Sequence, residues 1–327
     1  MSNNNVTEQV TQLVGGNQLA LARLLTLVEA EDPATGKVMA AVQAHLGKAH
    51  MVGITGPSGA GKSTMVDRLA AIARSQGRTV GIVAVDPTSP FTGGALLGDR
   101  IRMQQHYLDP GVFIRSMATR GSLGGLSRAA FNAVKLLDAA GKDLVLLETV
   151  GVGQTELDIM GAVDTVVVIL VPEAGDFVQT MKAGLMEIAD IFVVNKADRE
   201  GARQVVGELE AMVAMSPKVS WWQIPVLATQ AHQDVGVDKV AEAVEAHKRA
   251  LIESGEMERR RRTRRKREFL RILEQELTLR LLQRMSGDGM WAETLSHVEQ
   301  GDLDPYSAAH RVLSDQPSLS GPPRKGS

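Results

Sequence analysis

From residue 50 onward, short continuous apolar runs alternate with longer stretches whose apolar residues recur at helical spacing. The runs predict strands at Met51–Thr55, Thr79–Val85, Val112–Arg115, Leu144–Glu148, Thr165–Val171, Ile191–Asn195 and Pro225–Ala228. Most lack alternation, as strands covered on both faces do. The pattern predicts an α/β fold: a doubly wound, mostly parallel sheet whose ligands sit at the carboxyl edge of the strands. Residues 6–46 carry Val10, Leu13, Leu21, Leu24, Leu25, Val28, Val38 and Val42 at helical spacing, with a break at Asp32-Pro33-Ala34-Thr35-Gly36. This predicts a helical hairpin packed on the main domain. Beyond residue 255 a long amphipathic helix is expected, then two short ones around Trp291 and Tyr306. The expected organisation is an N-terminal helical extension over 1–48, an α/β core domain over 49–255, a helical arm over 256–314 and a disordered tail over 315–327, rich in Pro, Ser and Gly.

Composition narrows the class only slightly. The chain of 327 residues is 44% hydrophobic, enough for a substantial core, and its formal net charge of -2 suggests no polyanionic partner. It has no cysteine, which excludes disulfides and zinc–thiolate sites. No apolar run is long enough to span a membrane and the first residues carry no signal pattern, so a cytoplasmic protein is the expectation.

The chemistry lies at the strand ends. Gly56-Pro57-Ser58-Gly59-Ala60-Gly61-Lys62-Ser63-Thr64 fits G-x-x-x-x-G-K-[ST], between a predicted strand and a predicted helix. Inward N–H groups and a helix start hold a polyphosphate there. Lys62 is expected to reach the β/γ-phosphates and the Ser63 hydroxyl to ligate Mg²⁺. Asp86, Asp99 and Glu148 are candidate metal carboxylates, although any one of them alone could be a helix cap or a solvated loop acid. Asn195-Lys196-Ala197-Asp198 matches N-K-x-D. A carboxylate at the Asp198 position accepts two hydrogen bonds from guanine N1–H and the 2-amino group, and an unpaired carboxylate penalises adenine. Lys196 can lay its stem on the ring. Thr229-Gln230-Ala231 stands where a weaker fifth motif touches guanine through its backbone.

Three longer strings carry a resemblance. Asp86-Pro87-Thr88-Ser89-Pro90 continues through Phe91 to Met103. The second runs from Glu148-Thr149-Val150-Gly151 to Glu156, and the third from Ala189 to Asp198. From about residue 50 to 250 the chain resembles the MeaB/ArgK/MMAA group of SIMIBI-class P-loop GTPases. The resemblance implies GTP and GDP as ligands and a Mg²⁺ shell of Ser63, Asp86, Asp99 and Glu148. It also implies an E-x-x-G switch from Glu148 to Gly151 and a mobile third switch over 173–182. It implies a homodimer clasped by the C-terminal arm. The implied client is an adenosylcobalamin-dependent acyl-CoA mutase, typically methylmalonyl-CoA mutase, whose cofactor loading the GTPase gates and which it protects. The Thr229-Gln230-Ala231 string departs from the common S-A ending.

Ras-type enzymes place a water-orienting Gln directly after D-x-x-G, where this chain has Val152. Slow intrinsic hydrolysis with partner stimulation is therefore expected. Lys62 and Glu148 are the catalytic candidates in the core, with Asp176 and Lys182 in the third switch, although Lys182 could equally be a solvated lysine. Arg259–Arg267 carries eight positive charges in nine residues, read as a solvated face partly paired with nearby glutamates or as a surface for nucleic acid or an acidic partner. Two further functions stay open: a nickel metallochaperone GTPase, disfavoured by the lack of cysteine, and a nucleic-acid-associated GTPase using the arginine run.

Overall fold

A computed structural model describes residues 3–86, 106, 108–118, 126–149, 158–174, 187–215, 220–285 and 289–314. Seven strands form one sheet: β1 (His50–Thr55), β2 (Val80–Asp86), β3 (Val112–Ala118), β4 (Leu144–Glu148), β5 (Thr165–Leu170), β6 (Ile191–Val194) and β7 (Val226–Ala228). Their order is β3-β2-β4-β1-β5-β6-β7 and every pairing is parallel. From β1 the chain steps outward to β2 and β3, returns to place β4 beside β1, and then steps outward on the other side through β5, β6 and β7, which puts the topological switch point at the carboxyl ends of β1 and β4.

The central strands β1, β4, β5 and β6 are mostly apolar and fully buried because both faces are covered. Helices α4 (Lys62–Ser75) and α7 (Val237–Glu253) bury Met65, Val66, Leu69, Val240 and Val244 against Val52, Ile54 and Leu146 on one face. On the other face, α5 (Arg128–Ala139) and α6 (Ala202–Met215) bury Leu136, Leu137 and Leu209 against Val145, Leu147 and Phe192. The N-terminal helices join this second core.

They form three helices rather than the expected hairpin: α1 (Asn3–Val14), α2 (Gln18–Glu29) and α3 (Thr35–Val42). The missed break lies at Gly15-Gly16-Asn17. Gly16 takes a φ of 86°, and the Asn17 side chain accepts hydrogen bonds from the N–H groups of Leu19 (2.9 Å) and Ala20 (3.0 Å), capping α2. Strand β3 also runs three residues past its expected end. It is an edge strand beside α2, where the Arg115 guanidinium donates to Glu29 and, at 3.2 Å, to Thr26 Oγ1. A polar residue is satisfied there without ending the strand.

The largest departure concerns the arginine run. Helix α8 (Glu256–Met285) begins under the amino ends of β1, β5 and β6, opposite the carboxyl edge of the sheet. Arg261 donates to Asp164 Oδ1 (3.1 Å) and Oδ2 (2.7 Å), and to the carbonyls of Gly47 (2.7 Å) and Ala49 (2.9 Å). Arg264 adds a 2.7 Å contact to Asp164 Oδ1, and Arg260 grips Asp190 through both oxygens at 2.8 and 3.0 Å. Both acids are buried. Burial alone would push the Asp164 carboxyl up, but the Arg261 hydrogen bonds and the charge of Arg264 outweigh it and hold the group well below the usual carboxylate range. Asp190 is lowered too, with His247 and Arg260 outweighing its burial. The Arg260 guanidinium lies 5.4 Å over the Trp221 ring, and Trp222 Nε1 donates to the Asp190 carbonyl at 2.8 Å. Arg260, Arg261 and Arg264 therefore form an internal latch, which corrects the expectation of a solvated face partly paired with nearby glutamates at these three positions, while Arg259 does pair with Glu256.

The chain divides into two compact units within α8, Met1–Arg264 and Arg265–Ser327. In the second, α9 (Gly289–Gln300) packs on α10 (Pro305–Ser314), with Thr294 and Ala308 buried. Phe269, Leu270, Leu273, Leu277 and Leu282 of α8 are exposed. No helix among the described residues is long and apolar enough to cross a membrane.

Candidate nucleotide site

At the carboxyl end of β1 the chain turns through Gly56–Gly61 into α4, and two glycines make that turn possible. Gly56 has a φ of 139°, and an added Cβ would lie 1.9 Å from the Ile169 carbonyl oxygen on β5. Gly61 has a φ of 91°, and its Cβ would meet Asn195 Nδ2 at 2.3 Å. The loop backbone is therefore pressed against both the sheet and the segment after β6. Pro57, Ser58 and Gly59 form the turn, and the buried Ala60 closes it through a hydrogen bond from its N–H to the Pro57 carbonyl at 3.2 Å. Lys62 opens α4 and is buried; its Nζ donates to the carbonyls of Gly56 (3.0 Å) and Pro57 (3.1 Å), which places the ammonium over the loop. The ammonium and the helix start together make the concavity positive.

Ser63 follows, and its hydroxyl donates to Glu148 Oε1 at 2.7 Å. Glu148 ends β4, the neighbour of β1, and both groups are buried. A hydroxyl and a carboxylate at this distance are a hard oxygen pair suited to Mg²⁺ beside phosphate oxygens and water. Among the described residues no group of three His, Asp or Glu side chains forms a metal cluster. A P-loop magnesium does not require one, since phosphates and water complete its shell. Asp86 ends β2 on the same edge. The Asp86 side chain, Asp99, Gly151, Asp176 and Lys182 lie outside the described residues.

The cavity beside the loop is organised around Asn195. Its Oδ1 accepts from the Ala231 N–H (3.0 Å) and the Thr229 hydroxyl (3.1 Å), while its Nδ2 donates to the Ala60 carbonyl (2.8 Å). One buried amide thus ties the phosphate loop to the segments after β6 and β7. The Ala197 N–H donates to the Thr229 carbonyl at 2.9 Å, and Lys196 takes a left-handed φ of 57°, which turns Asp198 back along the edge. A cavity of about 240 Å³ opens there. Gly61 and Thr64 line it on the phosphate side, and Lys196, Asp198 and Arg199 line it beside Asn195.

Thr229 and Ala231 contribute through Asn195 and not through the cavity wall. Gln230 pairs through its backbone with Val235. The residue after them, His232, lines the cavity. Sequence reasoning missed it, because an isolated exposed histidine carries no spacing signal.

The arrangement unites a polyphosphate cradle, a metal-suited oxygen pair and a slot ending in a carboxylate. Comparisons with known proteins agree with that chemistry. The family model described as "Methylmalonyl Co-A mutase-associated GTPase MeaB" matches residues 21–286. A relative in Pyrococcus horikoshii, named for GTPase activity alone, is 50% identical over 312 residues, 94% of this chain and 97% of that one. GTPase ArgK of Escherichia coli is 33% identical over 94% of this chain and 95% of its own length. The mitochondrial methylmalonic aciduria type A homolog of Caenorhabditis elegans is 35% identical over 79% of this chain and 69% of its own. Among solved structures, one titled LAO/AO transport system kinase superposes with a TM-score of 0.70 at 27% identity, covering 95% of this chain and 97% of that one. The chain is a P-loop GTPase and belongs to the MeaB family of methylmalonyl-CoA mutase-associated GTPases.

Proposed function

We propose that this GTPase is the chaperone of an adenosylcobalamin-dependent acyl-CoA mutase, methylmalonyl-CoA mutase, and that its nucleotide state gates cofactor loading and protects the client. The observation that carries the reading is the family match, which spans the whole nucleotide site and the start of the helical arm. In this reading the N–H groups of the phosphate loop and the Lys62 ammonium hold the β- and γ-phosphates. Ser63 and Glu148 would hold Mg²⁺, with Asp86 and Asp99 joining by resemblance. Bound Mg²⁺ would offset charge on the phosphate oxygens. Asn195 fixes the base pocket and Asp198 selects guanine.

Nothing in the E-x-x-G stretch supplies a glutamine at the Ras position, so hydrolysis is slow until a partner arrives. Asp176 and Lys182 belong to the segment proposed to respond, with Lys182 as the cation placed on the transferring phosphate. The proposed organisation keeps a nucleotide domain over 49–255 and a helical arm over 256–314. The exposed apolar residues Phe269, Leu273 and Leu277 support homodimerisation through that arm. A cytoplasmic location fits this role.

The test is co-sedimentation of the purified chain with a purified adenosylcobalamin-dependent mutase, with GDP and with a non-hydrolysable GTP analogue. A stable complex whose affinity differs between the two nucleotides, with a GTPase rate raised by the mutase, is expected. No complex in either state would remove the client and leave only the nucleotide chemistry.

A further inference from the structure

His232 stands on a turn that is closed by its own backbone. The Gln230 N–H donates to the Val235 carbonyl at 2.9 Å, and the Val235 N–H returns the bond at 3.3 Å. Ala231 is fully buried and bonded to Asn195, and Asp234 adopts the left-handed φ of 61° that ends the turn. None of these bonds uses the imidazole, so the ring has no part in holding the turn. It is exposed, and it lines the cavity that holds Lys196 and Asp198.

Its nitrogens are not free to present any face. Nε2 lies 3.0 Å from the Gln233 Nε2 amide, which can only donate. An aromatic ring carried on a turn closed by its own backbone bonds, at the wall of a slot, is a stacking surface. The plain alternative is a solvated histidine with no task. Its presence on the wall of the base cavity, one residue from an amide bonded to Asn195, argues for the first.

We propose that His232 is a positioning residue for the guanine ring, its imidazole forming one wall of the base slot while the Lys196 stem lines the slot from the neighbouring loop. This rests on the guanine-nucleotide reading of the site. Stacking does not discriminate between purines, so His232 supplies affinity and Asp198 supplies selectivity.

The test is calorimetric titration of the full-length chain with Mg²⁺–GDP and with Mg²⁺–pyrophosphate, for the wild type, His232→Ala and His232→Phe. His232→Ala weakens GDP about tenfold, pyrophosphate binding stays unchanged because it carries no base, and His232→Phe restores GDP affinity to within about twofold. Unchanged GDP affinity in His232→Ala overturns the proposal. So does a parallel loss of pyrophosphate, or a Phe variant as weak as Ala. Failure of the wild type to bind GDP while it binds pyrophosphate would instead overturn the guanine reading itself.

Discussion

Replacing Arg261 by alanine removes four hydrogen bonds at once, two to Asp164 and one each to the carbonyls of Gly47 and Ala49. The Arg261 side chain is only 15% exposed and that of Asp164 is 0% exposed, so water can take over at the exposed Gly47 carbonyl but not at Asp164. Breaking a buried ion pair from one side costs about 3–5 kcal/mol, because the remaining charge is stranded. Here Arg264 keeps its 2.7 Å contact with Asp164 Oδ1, and the Met51 N–H still donates to Oδ2 at 3.1 Å. The expected cost is therefore at the lower end, about 3 kcal/mol. Urea unfolding followed by tryptophan fluorescence reads it, since Trp221 and Trp222 flank the adjoining Asp190 network. The midpoint should fall with the slope unchanged. In an Asp164→Ala background the same arginine change should cost less than about 1 kcal/mol, a coupling of about 2 kcal/mol or more. A loss below about 0.5 kcal/mol, as for a surface pair, or strict additivity in the cycle would refute the latch.

Gly56→Ala should abolish GDP binding measured by calorimetry and lower the thermal midpoint, since its Cβ would sit 1.9 Å from the Ile169 carbonyl oxygen; normal binding would mean the loop has room this structure denies. Burial holds the His50 imidazole down, from 6.5 to about 4. The unfolded chain therefore takes the proton first, and the contribution of His50 is complete above about pH 6.5 and drains away as pH falls toward 4, by ~3 kcal/mol. Urea midpoints at pH 7.5, 5.5 and 4.5 should show that slope, and His50→Gln should flatten it; an unaltered slope would acquit His50. Lys182→Ala should remove most of the mutase-stimulated single-turnover rate, about 10³-fold or more if its ammonium acts as the arginine finger does. An unchanged stimulated rate would exclude it.

The legible parts of the fold were those where chemistry leaves few residue types to choose from. A backbone pressed against Ile169 at Gly56 permits only glycine, and an amide that must bond Ala60, Thr229 and Ala231 together permits little besides Asn195. Strands covered on both faces announce themselves as apolar runs, so six of the seven ended within one residue of expectation. The arginine latch was hidden because its partners are remote in the chain. Asp164 lies 97 residues before Arg261, and Asp190 lies 70 before Arg260, each just ahead of a strand. Locally, the run looks like any solvated basic face, with glutamates on both sides. The turn at Gly15-Gly16-Asn17 was visible in principle, as two glycines followed by an N-cap residue, but the apolar spacing ran through it. His232 gave no signal because a single exposed histidine on a cavity wall belongs to no spacing motif.

Calorimetric titration of the nucleotide-free protein with Mg²⁺–GDP and Mg²⁺–ADP, repeated for Asp198→Asn, tests the central claim most directly. The account predicts that GDP binds ~10³-fold tighter than ADP or more, because an unpaired Asp198 rejects adenine, and that Asp198→Asn erases most of this difference. Equal affinity for the two nucleotides in the wild type, or a preference that survives Asp198→Asn, would contradict it.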